Sequence, residues 1–440
     1  MKRTLLLISL LNITIFQAQT VQWHKALGSN GFEEAHCIQQ TKDEGYIIAG
    51  YTTGYIGNHG NNDAYVVKLD AAGTIQWQKC LGGTENDNAQ TIQQTSDGGY
   101  IISGDTRSND GDVSGNHGGS DYWVIKLDAT GAILWQKTYG GTSYDLAKSI
   151  TQTFDGGFIV TGYTYSNDGD VSGNHGASDF WTVKLDASGT IQWQKCIGGN
   201  DEDLPSTIEQ TTDGGYIIAG GSASKNGNVT GNHGGLDYWI VKLDATGTLQ
   251  WQKSLGGTDD DYAESMNQTT DGGYIIAGHA RSINGNVTGH HGVGNISSND
   301  YWIVKLDGAG TIQWQKCYGG TGSDQAFSIQ QTIDGGYIIA GDTTSSNDGD
   351  ITGNHPSTDV WILKIDETGN KQWEKYLEGS SHDQAYSVNQ TIDGGYVMTG
   401  ITSSFDGHFT GYNGNFDAWI VKILPPVVLG INDTVKSQVL

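Results

Sequence analysis

A seven-bladed β-propeller with four antiparallel strands per blade is the fold this sequence predicts, on three observations. A turn of the Asp-Gly-Gly-Tyr type recurs from Asp43, Asp97, Asp155, Asp213, Asp271, Asp334 and Asp393, at steps of 54, 58, 58, 58, 63 and 59 residues. Each copy contains segments of strand pattern and none of convincing helical period. One strand motif is missing from the last copy and stands spare before the first. A period of this length marks one supersecondary unit whose apolar faces are buried only against its neighbours.

The second copy shows the unit in order. Residues 89–94 (Ala-Gln-Thr-Ile-Gln-Gln) roughly alternate small or apolar with polar side chains, the period-2 mark of a strand. Asp97-Gly98 supplies a turn in which positive φ is cheap, so the chain folds back as a hairpin. Residues 100–104 are an apolar run of strand length, expected to be buried on both faces. A long polar loop, residues 107–120, precedes a third strand at 122–127. Residues 128–131 (Asp-Ala-Thr-Gly) form a turn of type I composition, and residues 132–137, with Trp135, are the fourth strand. Four strands per unit and seven units make a propeller.

The ends support a ring. The fourth-strand motif first occurs at residues 21–25 (Val-Gln-Trp-His-Lys), whereas residues 419–423 run directly into Pro425-Pro426. In a closed ring, residues 21–27 complete the seventh blade and leave no free sheet edge.

Sixty-six Gly, 4 Pro, 13 Trp and 21 Tyr describe an ordered, turn-rich β protein whose aromatics supply the burial. Residues 1–18 read as a signal peptide: Lys2 and Arg3, an apolar stretch over residues 5–16, and Ala18 as cleavage residue. No later segment is apolar enough to span a bilayer. The propeller is expected over residues 19–424, followed by a tail at 425–440. The formal charge of −26 repels nucleic acid and anionic lipid. Cys80, Cys196 and Cys317 hold one repeat position, so they are expected far apart and unpaired, and Cys37 stands where other copies carry Thr91, Ser149 or Ser265.

The hairpin at residues 242–253 (Lys-Leu-Asp-Ala-Thr-Gly-Thr-Leu-Gln-Trp-Gln-Lys) resembles the tryptophan-docking repeat of quinoprotein-type propellers, a likeness shared by many non-enzymatic propellers. The whole repeat is similar to the Gly- and Asp-rich propeller repeats of secreted Bacteroidetes proteins, often type IX secretion cargo. The residues that carry this are Asp-Gly-Gly-Tyr-Ile-Ile-Ala-Gly at 213–220, 271–278 and 334–341, with Asp-Tyr-Trp-Ile-Val-Lys-Leu-Asp at 237–244 and 300–307. Residues 429–433 (Leu-Gly-Ile-Asn-Asp) resemble the lead-in to that system's sorting domain, so the tail is expected to be the start of a truncated one. The resemblance implies a bacterial protein that is secreted or held at the cell surface.

Three residue sets carry candidate chemistry. The loop between second and third strands holds two Asp around a Gly: Asp110 and Asp112, Asp168 and Asp170, Asp348 and Asp350. Such oxygen-rich turns suit a hard cation, so calcium is the expected metal there. Asn226, Asn228, Asn284 and Asn286 replace these Asp in two copies, which favours a structural turn. His59, His117, His175, His233, His291 and His355 recur one per blade, too far apart for one zinc ion, and are expected to hold their own loops. Glu33, Asp87, Asp145, Asp203, Asp261, Asp324 and Asp383 form a ring expected to fix turns, since equivalent copies do not divide acid and base roles. The insertion at residues 293–298, Pro205, Arg281 and His382 break the symmetry without composing a nameable site. No nucleophile elbow, zinc-protease motif or phosphate loop occurs.

These readings predict a monomeric, secreted, non-catalytic module that binds a glycan, a protein or another surface partner, with calcium as its one candidate ion. The alternative is a polysaccharide lyase or hydrolase working in the central cleft, which would show one deep asymmetric pocket with a shifted carboxylate or His.

Overall fold

The computed structural model describes residues 20–55, 57–292, 298–353, 355, 357–412 and 415–425. The expected signal segment, residues 293–297 of the insertion and all of the tail except Pro425 lie outside the described residues. Seven four-stranded antiparallel sheets form the blades. Blades 1 to 6 are residues 33–81, 87–139, 145–197, 203–255, 261–318 and 324–377, each in sequential strand order. Blade 7 is residues 383–423 closed by Val21–Ala26, which pairs antiparallel with Asp417–Ile423. The expected clasp is therefore present, with Ala26 opposite Trp419 and Trp23 opposite Lys422. Among the described residues no helix is long and apolar enough to cross a membrane.

No blade has a core of its own. The apolar cluster of Ile47, Ala49 and Val66 from blade 1 is completed by Ile92, Tyr100, Ile102 and Trp123 from blade 2. Ile48, Tyr65 and Val67 pack likewise on Val397, Ala418 and Ile420 of blade 7, so the same kind of core closes the ring. Second and third strands are buried on both faces, as their continuous apolar runs require.

Each outer-strand Trp leaves its own sheet and docks on the next blade. Trp77 meets Tyr100 and Trp193 meets Tyr216; the seven such pairs, including Trp23 with Tyr46, have centroids 5.6–6.1 Å apart. The ring also lies over a turn Gly of that blade: a Cβ on Gly131 would come within 3.0 Å of Trp77.

The recurring turn has a charge-based cause. Asp97 accepts from the Gly99 amide at 2.9 Å, from the Thr95 hydroxyl and from Lys126, whose Nζ is otherwise buried on the third strand. All seven turns repeat this Lys–Asp pair at 2.8–3.1 Å. Gly98 adopts φ +87°, and a Cβ on Gly99 would lie 2.2 Å from the Leu127 carbonyl, which explains the Gly-Gly. Partial burial pushes the Asp97 carboxyl up, but its hydroxyl, amide and ammonium donors bring it down to about 2.

A second ring joins blade to blade. The last Gln of each innermost strand accepts from a turn amide of the preceding blade: Gln94 from Lys42, Gln152 from Ser96, and so on to Gln40 from Ile392, at 2.7–2.9 Å. This explains why a Gln recurs there seven times. All four cysteines are free.

Candidate functional site: the mouth of the central channel

The loop-bearing face is built around buried carboxylates. Asp87 accepts from the Gly83 amide and the Ser108 hydroxyl, both at 2.7 Å, and from Thr106. Asp145, Asp203, Asp324 and Asp383 make the corresponding hydroxyl bonds, and Asp261 accepts backbone amides instead. Glu33 reaches Ser29 and Thr52. The ring expected to fix turns therefore does so. Burial pushes Asp203, Asp261 and Asp324 up to about 6 and Asp383 to about 7 against the pull of these donors.

A second ring of carboxylates, not singled out in the sequence, explains the repeated His. Asp121 Oδ2 accepts the His117 amide at 2.9 Å and lies 2.7 Å from its Nδ1. His59, His175, His233 and His291 contact Asp63, Asp179, Asp237 and Asp300 in the same way at 2.5–2.8 Å, and His355 stands 3.3 Å from Asp359. Each His holds its own loop, as expected. The other oxygen of Asp63, Asp121, Asp179, Asp237 and Asp300 has no hydrogen-bond partner among the described residues. It faces the first ring: a methyl on Gly82 would lie 2.7 Å from an oxygen of Asp63 and of Asp87 alike.

The six aspartates expected at calcium do not converge. Asp110 accepts from the Thr84 amide at 2.8 Å and hydroxyl at 2.9 Å, while Asp112 turns to the Gly82 amide at 3.3 Å. Asp168 and Asp170 make the same bonds to Thr142 and Gly140, and Asp348 and Asp350 to Thr321 and Gly319. The Asn copies reproduce them, with Asn226 and Asn284 accepting at 2.9 and 3.0 Å and Asn228 and Asn286 at 3.2 Å. Among the described residues no three His, Cys, Asp or Glu come together as a metal-ligand set.

Symmetry breaks in the channel instead. Along the innermost strands the last position is always Gln, and the first and third are Asp and Ala except for Glu33 and Pro205, whereas the fourth holds His36, Gln90, Lys148, Ser206, Glu264, Phe327 and Tyr386, with no residue used twice. The second position is nearly as varied, from Glu34 and Asn88 to Tyr262 and Gln384. Its cross-strand partner is Tyr51 in blade 1, Asp105 in blade 2, Tyr163 in blade 3 and His279 in blade 5. Comparing the seven copies column by column in the sequence would have exposed these positions. Of the expected symmetry breaks, Pro205 stands at the bulge of its innermost strand and Arg281 pairs with Asp260 at 3.2 Å.

Of these side chains, Glu34, His36, Tyr51, Asn88, Gln90, Lys148, Glu264, Phe327 and Tyr386 line an open cavity of about 510 Å³ at the channel mouth. Its aromatic wall is His36 set edge-on to Tyr51 and Tyr386, both at 5.7 Å, with Phe327 on Tyr386 at 5.5 Å. Glu34 and His36 pair at 2.9 Å; burial raises the Glu34 carboxyl, but its bonds to His36 leave it below the ordinary value. Across the cavity, burial carries Glu264 up to about 7 against the nearby Lys148 charge, while its side chain stays 23% exposed toward the channel. Burial, with help from Arg281, takes His279 down to about 4. Asn62, Asn88 and Gln90 add amide donors and acceptors.

No protein-family model matches the chain. The regulatory protein FlaEY of Caulobacter vibrioides is 26% identical over 229 residues, which covers 50% of this chain and 23% of that protein. The chain thus spans about a quarter of that relative's length. Among solved structures, the WD40 domain of Neurospora crassa Pan2 superposes with a TM-score of 0.54 at 12% identity, covering 92% of this chain and 95% of that one. The extracellular domain of the hybrid two component system BT4673 from B. thetaiotaomicron gives 0.48 at 10% identity, covering 92% of this chain and 43% of that one. The Pan2 likeness is one of fold: this chain is a β-propeller, an architecture that suits a binding or scaffold module.

Proposed function

We propose that the protein is a secreted, non-catalytic binding module that takes a short glycan at the mouth of its central channel. The observation that carries this reading is the loss of repeat symmetry at the channel-facing positions, in a chain whose other columns are close to uniform. Aromatic faces beside amide and carboxylate groups suit sugars, which offer an apolar ring face and a rim of hydroxyls. Titration calorimetry against a glycan panel tests it. Binding to the parent protein that is lost in Tyr386→Ala supports the site, and binding unchanged in that variant sinks it.

The signal-like composition of residues 1–18 supports the proposal of secretion, which cell fractionation tests. A surface protein is the other partner class this fold serves, and failure of the parent protein to bind any glycan of the panel would point toward it. Calcium on the loop aspartates is the rival account of residues that here act as struts between loops. A calcium-dependent rise in melting temperature would favour the ion.

One observation favours the second reading, a polysaccharide lyase or hydrolase. Glu34 and Glu264 line one cavity with their carboxyls displaced in opposite directions, as paired acid and base roles require. Release of reducing ends or unsaturated products from polysaccharides, abolished by Glu264→Gln, would establish it.

A further inference from the structure

We infer that the channel site selects a saccharide bearing a single carboxylate, which it holds on the Lys148 ammonium. This deepens the glycan-binding proposal and rests on it.

The chain is acidic, and 14 of its 23 Lys and Arg are committed to the repeat. Seven Lys are buried against the turn Asp, and seven more sit on outer strands in the Trp-x-Lys motif, from Lys25 to Lys375. Lys148 belongs to neither set. It occupies the varied fourth position of its innermost strand, half-buried, with its stem in the channel. Among the described residues its ammonium has no carboxylate within 4 Å, and its nearest aromatic contact is the Tyr163 ring at 5.9 Å.

The acids around it are occupied or muted. Asp105 is buried, accepts from Ser120 at 3.0 Å and from Asn88 at 3.4 Å, and is pushed up by that burial. Glu34 is held by His36 at 2.9 Å. Glu264, near 7, carries only part of its charge at neutral pH. A half-buried ammonium with no carboxylate within 4 Å, in a cavity also lined by aromatic and amide groups, offers a ligand carboxylate a charge-assisted contact. Cation and aromatic recur nearby in sequence: the Arg107 guanidinium lies 5.5 Å over the exposed Tyr144 ring, and Tyr165 stands edge-on to Tyr163 at 6.0 Å. The net charge of −26 limits the preference to short ligands, because a polyanion would meet the repulsion of the whole surface.

The experiment is calorimetry with aldobiouronic acids, such as cellobiouronic acid, beside the matching neutral disaccharides, such as cellobiose. The acids are expected to bind about tenfold more tightly, with the difference abolished in Lys148→Gln and kept in Lys148→Arg; circular dichroism checks that both variants fold. Equal binding of acid and neutral sugars, untouched by Lys148→Gln, would overturn this inference and leave the channel as a glycan site. Binding of neither class would overturn both.

Discussion

Replacing Trp23 by Ala tests ring closure at the residue that performs it. The Trp23 indole leaves blade 7 and meets Tyr46 of blade 1 edge-on at 5.6 Å, above Gly73, whose Cβ position is 3.2 Å from the ring. A fully buried Trp→Ala change costs about 3–5 kcal/mol. Trp23 is only half-buried, so we expect about 2–3 kcal/mol, of which the aromatic pair supplies roughly 0.5–1.5. Trp193 gives the matched control, since it contacts Tyr216 at 5.7 Å and Gly247 in the same manner but lies within a continuous run of blades. In a closed ring the two sites are equivalent, and both variants should lower the urea midpoint of the far-UV dichroism by similar amounts. Loss of stability in Trp193→Ala with none in Trp23→Ala would mean that residues 21–26 do not clasp blade 7.

Further outcomes follow from the carboxylates. Asp203, Asp261, Asp324, Asp383, Asp342 and Glu264 sit at about 6–7 in the fold, above their unfolded values. Their contribution is therefore complete below about pH 4 and lost as pH rises through 6–7. The turn aspartates held near 2 act oppositely but lose their contribution only below about pH 4, and His279 opposes the trend from 6.5 down to about 4. The melting temperature should thus be higher at pH 5 than at pH 8, and the reverse order would contradict the assignment. Asp110→Asn together with Asp112→Asn should shift stability by less than about 1 kcal/mol, with or without calcium, because blades 4 and 5 make the same bonds with Asn. Asp203→Ala, by contrast, strands the Gly199 amide and two hydroxyls in a buried site and should cost about 3–5 kcal/mol in denaturant titration.

The fold was legible because the determinants of a blade are local and repeated seven times. The turn Asp, its two Gly and the buried third-strand Lys each announce a physical requirement, and the displaced Trp23 strand announces closure. Strand ends lay one or two residues beyond the expected ones: the innermost strand of blade 2 begins at Asp87, because that carboxylate already accepts the bonds that anchor the strand. The candidate site was far less legible. Repetition draws attention to conspicuous copies such as His117, which fastens its own loop, and Asp110, which bonds Thr84, whereas Lys148 and Glu264 are single residues in unlike contexts. Only the register that turns every fourth strand residue toward one axis brings them together. The second Asp ring was hidden for a related reason, since Asp121 looks like an ordinary strand-edge residue until His117 folds back on it.

Binding stoichiometry bears most directly on where this propeller works. Calorimetry with a saccharide ligand should give one site per chain, lost with Tyr386→Ala, if the asymmetric channel mouth is the seat of function. A stoichiometry near six or seven, indifferent to Tyr386, would place binding on the repeated loops and contradict the channel as the site.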